Sequence, residues 1–149
     1  MKAAKVSEIK KDLTSKTQPE LLHLCLHLAK FKKENKELLT YLLFEADDEA
    51  SFIQSIKEEV DEQFSEINTS SYYFIKKSMR KILRNIKKHI RYSKNKETEV
   101  ELLIYYCSKL NSFSPSITRN TALVNLYQRQ LVSIRKTVSS LHEDLQYDF

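Results

Sequence analysis

Residues 71–96 read SYYFIKKSMRKILRNIKKHIRYSKNK. If successive residues turn by about 100°, Ile75, Met79, Ile82, Leu83, Ile86 and Ile90 fall on one side of a helix, and Lys76, Lys77, Arg80, Lys81, Arg84, Lys87, Lys88 and Arg91 fall opposite. No Asp or Glu occurs between Glu66 and Glu97, while ten Lys or Arg do. Five like-charge pairs stand at i,i+4 spacing: Lys76 with Arg80, Lys77 with Lys81, Arg80 with Arg84, Arg84 with Lys88, and Lys87 with Arg91. At roughly 0.2–0.5 kcal/mol each they cost about 1–2.5 kcal/mol. One buried Ile or Leu contributes roughly 1.5–3 kcal/mol, so docking of the apolar stripe outweighs the repulsion. The helix forms by packing, and its basic face is left in need of anions.

Working outward, the absence of any Gly among 149 residues removes whole classes of function. Gly-rich phosphate loops, the dinucleotide fingerprint and the EF-hand loop all need Gly where backbone approaches a ligand or takes positive φ. Tight primed hairpin turns lean on it too. With only Pro19 and Pro115 as interruptions, the expected fold is all-α: about seven helices in an antiparallel bundle or a short solenoid-like array. The length fits a single helical domain over 1–149, with 1–113 as its core and 114–149 as a long C-terminal helix packing on that core or on a partner.

Cys25 and Cys107 lie far apart in apolar helical stretches and read as reduced core thiols. No apolar h-region follows the N-terminal lysines, and no apolar run approaches the roughly 18 residues of a membrane span, so the expected location is cytoplasmic. Net charge is +5, but unevenly spread. Residues 1–44 carry nine basic and five acidic groups, residues 45–66 one basic and nine acidic, residues 67–96 ten basic and none acidic, and residues 97–149 five basic and six acidic.

Before the basic stretch, Val6, Ile9 and Leu13 mark a short first helix. Thr17-Gln-Pro-Glu20 reads as a capping box with Pro in the first turn, opening a second helix to about Phe31. Asn35 is placed to cap a third, KELLTYLLFE, apolar all round and therefore expected to be buried. Asp47 or Asp48 opens a fourth, with Phe52, Ile53, Ile56, Val60, Phe64 and Ile67 on one face and Glu58, Asp61, Glu62 and Glu66 off it. The acidic and basic faces of the fourth and fifth helices both oppose the faces that share a core, so most of both patches should face solvent. After the basic helix, Asn95 or Thr98 caps a sixth whose Leu102-Leu-Ile-Tyr-Tyr-Cys107 reads as the central core element. Asn111-Ser-Phe-Ser-Pro115 is a linker, and Ser114-Pro115 is placed to start the last helix. There Tyr127, Leu131, Ile134, Val138, Leu141 and Leu145 form a short heptad-like seam.

This order of elements resembles that of small all-helical bacterial proteins with no assigned function. The resemblance rests on the Lys-rich first helix, Glu20-Leu-Leu, Tyr41-Leu-Leu-Phe44, the acidic helix, and the basic stretch from Ile82 to Ile90 leading into Leu102-Leu-Ile-Tyr105. It covers about residues 5–113, implies an all-helical fold, and carries no site residue across.

Candidate chemistry is sparse. His23 and His27 stand at i,i+4 spacing as zinc-binding His pairs do, but Cys25 points elsewhere, and a solvated polar face is the simpler account. Glu20-Leu-Leu-His23 matches the Glu-x-x-His of di-metal bundles, which need a second copy that this chain lacks. His89 and His142 have no nucleophile tied to them by spacing, and Glu58 with Glu62 lacks an apolar setting. The expectation is therefore no enzyme, no catalytic residue, no metal, no cofactor and no small-molecule substrate. What remains is the basic face, Lys77, Arg80, Lys81, Arg84, Lys87, Lys88 and Arg91. Its expected role is that of a non-catalytic interaction module for an acidic protein surface or a second copy of the chain. The alternative is RNA or DNA backbone binding, with Tyr72, Tyr73 and Tyr92 as candidates for base stacking. Membrane adsorption is not expected, because the apolar stripe is needed for the core.

Overall fold

The computed structural model describes the backbone of residues 1–149 and every side chain except that of Asp144. The fold is all-α. Its helices are α1 (Val6–Thr14), α2 (Gln18–Phe31), α3 (Lys33–Thr40), α4 (Glu49–Ser65), α5 (Tyr72–Ser93), α6 (Lys96–Asn111), α7 (Thr121–Ser139) and the single turn α8 (Glu143–Gln146). A π-helical turn, Tyr41–Glu45, extends α3, and a 3₁₀ turn, Ile117–Arg119, precedes α7. No helix is long and apolar enough to cross a membrane, among the described residues.

Local chemistry sets most boundaries. Thr17 Oγ1 accepts from the Glu20 N–H at 3.3 Å while Glu20 Oε1 accepts from the Thr17 N–H at 3.1 Å, completing the capping box of α2. Asp48 accepts from the Ser51 N–H at 3.2 Å, and Asn95 from the Glu97 and Thr98 N–H groups at 2.9 and 3.3 Å. α5 ends where Lys94 takes a left-handed conformation, φ 56°, with its N–H donating to Ile90 O at 2.9 Å. That position usually belongs to Gly, which this chain does not have.

The chain divides into two compact units, Met1–Phe44 and Glu45–Phe149. The break falls after Phe44, whereas the sequence reading puts its internal boundary at 113.

In the first unit, α2 and α3 pack as a helical hairpin. Asn35 does not cap α3. The helix starts earlier, after the extended Lys32, and the Asn35 side chain reaches back to donate to Leu28 O at 2.8 Å, satisfying a carbonyl near the end of α2. The expected burial of the third helix is also not found. Tyr41 is buried, but Leu42, Leu43 and Phe44 are 56, 61 and 76% exposed. Cys25 is exposed as well, and only Cys107 is a core thiol, its pKa pushed up to about 11 by burial.

In the second unit α6 is central. Val100, Leu102, Leu103, Tyr106, Cys107 and Leu110 are buried, and α4, α5 and α7 pack on it. Glu49 meets Thr98, Lys57 meets Glu101 and Asp61 meets Lys109, so α4 and α6 run in the same direction. Ser93 reaches Glu49 and Tyr106 reaches Met79, so α5 runs opposite to both. The core is filled by Phe52, Ile53, Ile56, Val60 and Phe64 of α4 and by Ile75, Met79, Ile82, Leu83 and Ile86 of α5, the stripes the sequence marks out. Ile90 is the exception on α5, only half-buried. Tyr106 resolves its own polarity by donating to Met79 O at 2.7 Å.

The last long helix differs from its expected frame. It begins at Thr121 rather than at Pro115, because Asn120 supplies the cap, accepting from the Leu123 N–H at 3.2 Å. It ends at Ser139, leaving Leu141 and Leu145 beyond it. Its buried positions are Leu123, Leu126, Gln130 and Ile134, so the face turned to the core is offset from the expected seam; Tyr127, Leu131 and Val138 are half-buried at its edge.

Candidate interaction surface

With the Ile75 to Ile86 stripe seated against α6 and α4, the geometry of α5 carries its cations outward. Lys77, Arg80, Lys81, Arg84, Lys87 and Arg91 are exposed, and Lys76 and Lys88 are half-buried. Part of this face is one wall of a groove of about 640 Å³ lined by Tyr73, Lys76, Lys77, Arg80 and Arg84 of α5 and by Arg129 of α7. Leu83 and Leu126 form its base, 7 and 5% exposed. Lys81, Lys87, Lys88 and Arg91 lie on the same helix outside the groove lining.

Asp61, Glu101 and Glu49 are engaged elsewhere. Asp61 accepts from the Tyr105 hydroxyl at 2.5 Å and from Lys109 at 3.2 Å. Its carboxyl is held below the usual carboxylate range, chiefly by the Tyr105 hydroxyl, against the opposing effect of partial burial and with Lys109 adding to the lowering. Tyr105 is pushed up to about 12, first by burial and then by Asp61. Glu101 takes Lys57 at 2.9 Å, and Glu49 accepts from Ser93 and Thr98 at 2.6 and 2.7 Å. Among the described residues, no salt bridge joins Lys77, Arg80, Lys81, Arg84, Lys87 or Arg91 to a carboxylate.

The three candidate stacking aromatics part company. Tyr73 is 65% exposed at the groove, edge-on to Phe74 with ring centroids 5.3 Å apart. Tyr72 is half-buried and its hydroxyl donates to Ser116 O at 2.8 Å, which ties the start of α5 to the segment before α7. Tyr92 is buried, edge-on to His89 at 5.8 Å, and has no face to offer a base. The sequence reading therefore errs on Tyr92: it stands off the apolar stripe, but neighbours brought up by the fold cover the last turn of α5.

Arg129 is the residue that sequence reasoning missed. A seam through Tyr127 and Leu131 gives no reason to place it beside α5. The usable signal was Asn120 as a cap followed by Leu123 and Leu126, which shifts the frame and sets Arg129 at the flank of the buried face.

Elsewhere, His23 and His27 are exposed with ring centroids 6.5 Å apart, and His89 Nδ1–H donates to Asn85 O at 2.7 Å. No group of three His, Cys, Asp or Glu is gathered closely enough to hold a metal ion, among the described residues. The groove itself presents guanidinium and ammonium groups over an apolar base, with no carboxylate in its lining. Such a surface has a positive potential.

No protein-family model matches the chain, no curated protein is significantly similar to it, and no solved structure matches it significantly.

Proposed function

We propose that the second unit is a non-catalytic binding module whose α5–α7 groove receives an acidic segment of another protein. The observation that carries this reading is a row of cations, Lys77, Arg80 and Arg84, without carboxylate partners among the described residues on one wall, faced by Arg129 on the other, with Leu83 and Leu126 beneath. Exposed ion pairs contribute roughly 0–1 kcal/mol each, so no single pair holds a partner. Four or five together contribute at most about 5 kcal/mol, so a micromolar complex, which needs roughly 8 kcal/mol, also requires apolar contact with Leu83, Leu126 and the side-chain stems. A helical acidic peptide with apolar residues on one side fits both features, as helices in grooves do elsewhere. Nucleic acid also fits the charge, but two of three candidate stacking rings are committed, Tyr72 to Ser116 and Tyr92 to the interior.

The test is a titration, across salt, of the full chain with an acidic amphipathic peptide and with single-stranded RNA and DNA oligonucleotides. The expected result is peptide binding that weakens with salt and is lost in Arg80→Glu/Arg84→Glu with helicity unchanged. Tighter oligonucleotide binding, with log K falling against log salt at a slope of about −4 for some six phosphates, hands the groove to nucleic acid instead. Binding of neither at low salt removes the proposal.

A further inference from the structure

We propose that residues 1–44 associate with the same unit of a second copy, hairpin beside hairpin. None of α1, α2 and α3 contains a buried residue, and Tyr41 in the π turn is the one buried side chain of the unit. A 44-residue unit of this kind orders its backbone at roughly 1–2 kcal/mol per residue without the burial that offsets it. Units of about this size usually need a staple or a partner. Cys25 and Cys107 are free thiols, so no disulfide supplies the staple.

The apolar surface left over is large. Leu22, Leu28, Phe31, Leu42, Leu43 and Phe44 are each more than half exposed, and Leu24 and Leu26 are 38 and 45% exposed. At roughly 100 Å² each, scaled from the 150–250 Å² of a large aromatic side chain, the first six leave about 600 Å² of apolar surface in water. A standard interface buries about 800 Å² per partner. Residues 45–149 expose far fewer large apolar side chains. These are Tyr73, Phe74, Ile104, Val132, Tyr147 and Phe149, six over 105 residues, against fourteen in the first 44. The same unit of another copy does match, since a two-fold axis sets like against like.

The direction follows from helix geometry. Cys25, Leu28 and Ala29 of α2 look toward Asn35, Leu38, Leu39 and Leu42. Leu22 and Leu26, one turn apart, stand to one flank of that seam, and two hairpins meeting along it make a four-helix bundle. The unit carries nine basic and five acidic residues, so two copies repel one another weakly. Apolar association against like charge strengthens with salt, the opposite of the groove contact, and the two proposals stand or fall separately.

The experiment is sedimentation velocity of the full chain over protein concentration at low and high salt, paired with amide hydrogen exchange. A dimer is expected, tighter in high salt, and lost in Leu22→Glu/Leu26→Glu. In the wild type, protection across residues 18–45 should rise about threefold for a roughly tenfold rise in protein concentration, the square-root dependence of dimer dissociation, with α4 to α7 unchanged. Because the exchange measurement uses the wild type, it decides the matter even if the double variant unfolds. A monomer at every condition overturns the proposal, whether or not it binds vesicles of anionic phospholipid. So does a dimer that salt dissolves, or one that survives both substitutions.

Discussion

Gln130 sits in the buried face of α7 with 4% exposure, and its Oε1 has no hydrogen-bond partner. An unsatisfied buried polar atom costs roughly 1–3 kcal/mol. Gln130→Met keeps the length of the side chain and removes the orphan, so it should raise stability by about 1 kcal/mol, read as a higher denaturant midpoint at unchanged m value. The pair of Tyr105 and Asp61 makes a pH prediction. Asp61 is lowered on folding, so its contribution is complete above the ordinary value of 3.8 and fades as pH falls through the folded value. Tyr105 is raised from 10.0 to about 12, so its contribution is complete below 10.0 and fades as pH climbs through about 12. The stability difference between wild type and Tyr105→Phe should thus be widest at neutral pH and shrink toward both extremes. NMR titration should show the Asp61 carboxyl moving up in the variant. Single residues were legible wherever their role is local. Thr17, Asp48 and Asn95 cap as their types and spacing indicate, because a cap depends on three or four neighbouring residues. Tyr92 and Asn35 were not, since one is buried and the other bonded by groups that only packing brings near.

α5 is the element in which local preference and tertiary gain are most opposed. Neutralising Arg80 and Arg84 with Gln removes three of the five like-charge pairs. At roughly 0.2–0.5 kcal/mol per pair, Arg80→Gln/Arg84→Gln should stabilise the fold by about 0.6–1.5 kcal/mol at low salt, and by much less once salt screens the charges. Thermal unfolding at two ionic strengths checks this, and the same variant should bind an acidic peptide more weakly. Stability and binding moving in opposite directions is the signature of a face kept for a partner. The stripes of α4 and α5 were readable because each helix is strongly two-sided, so the phase of the pattern names the buried residues. α7 was readable only in part: Ile134 of the expected seam is buried, but Leu123 and Leu126 compete with Tyr127 and Leu131 for the first turns, and contact with α6 decides between them.

Over the whole molecule, burial is concentrated about α6. Leu102 is 1% exposed there, and Leu102→Ala should cost about 2–5 kcal/mol, read as a lower denaturant midpoint for the second unit. The first unit, with little of its own apolar surface covered, should exchange its amide protons faster at high dilution. The division after Phe44 escaped the sequence for a physical reason. The composition of KELLTYLLFE says that its side chains want cover, but not whether the same chain supplies it. The cationic face, by contrast, was legible in outline, since a run with no acidic residue can be neutralised only from elsewhere, and Arg129 is what the opposing helix adds.

Lys94 is the one residue with positive φ among those described. A chain that carries glycine can place such a bend at many corners and move it without harm. Here the connection that reverses the path from α5 into α6 depends on a side chain tolerating a backbone shape that branching at Cβ resists strongly. Valine or isoleucine at that corner would strain the turn that seats α5 against α6, so the orientation of the cationic face depends on a residue outside the groove.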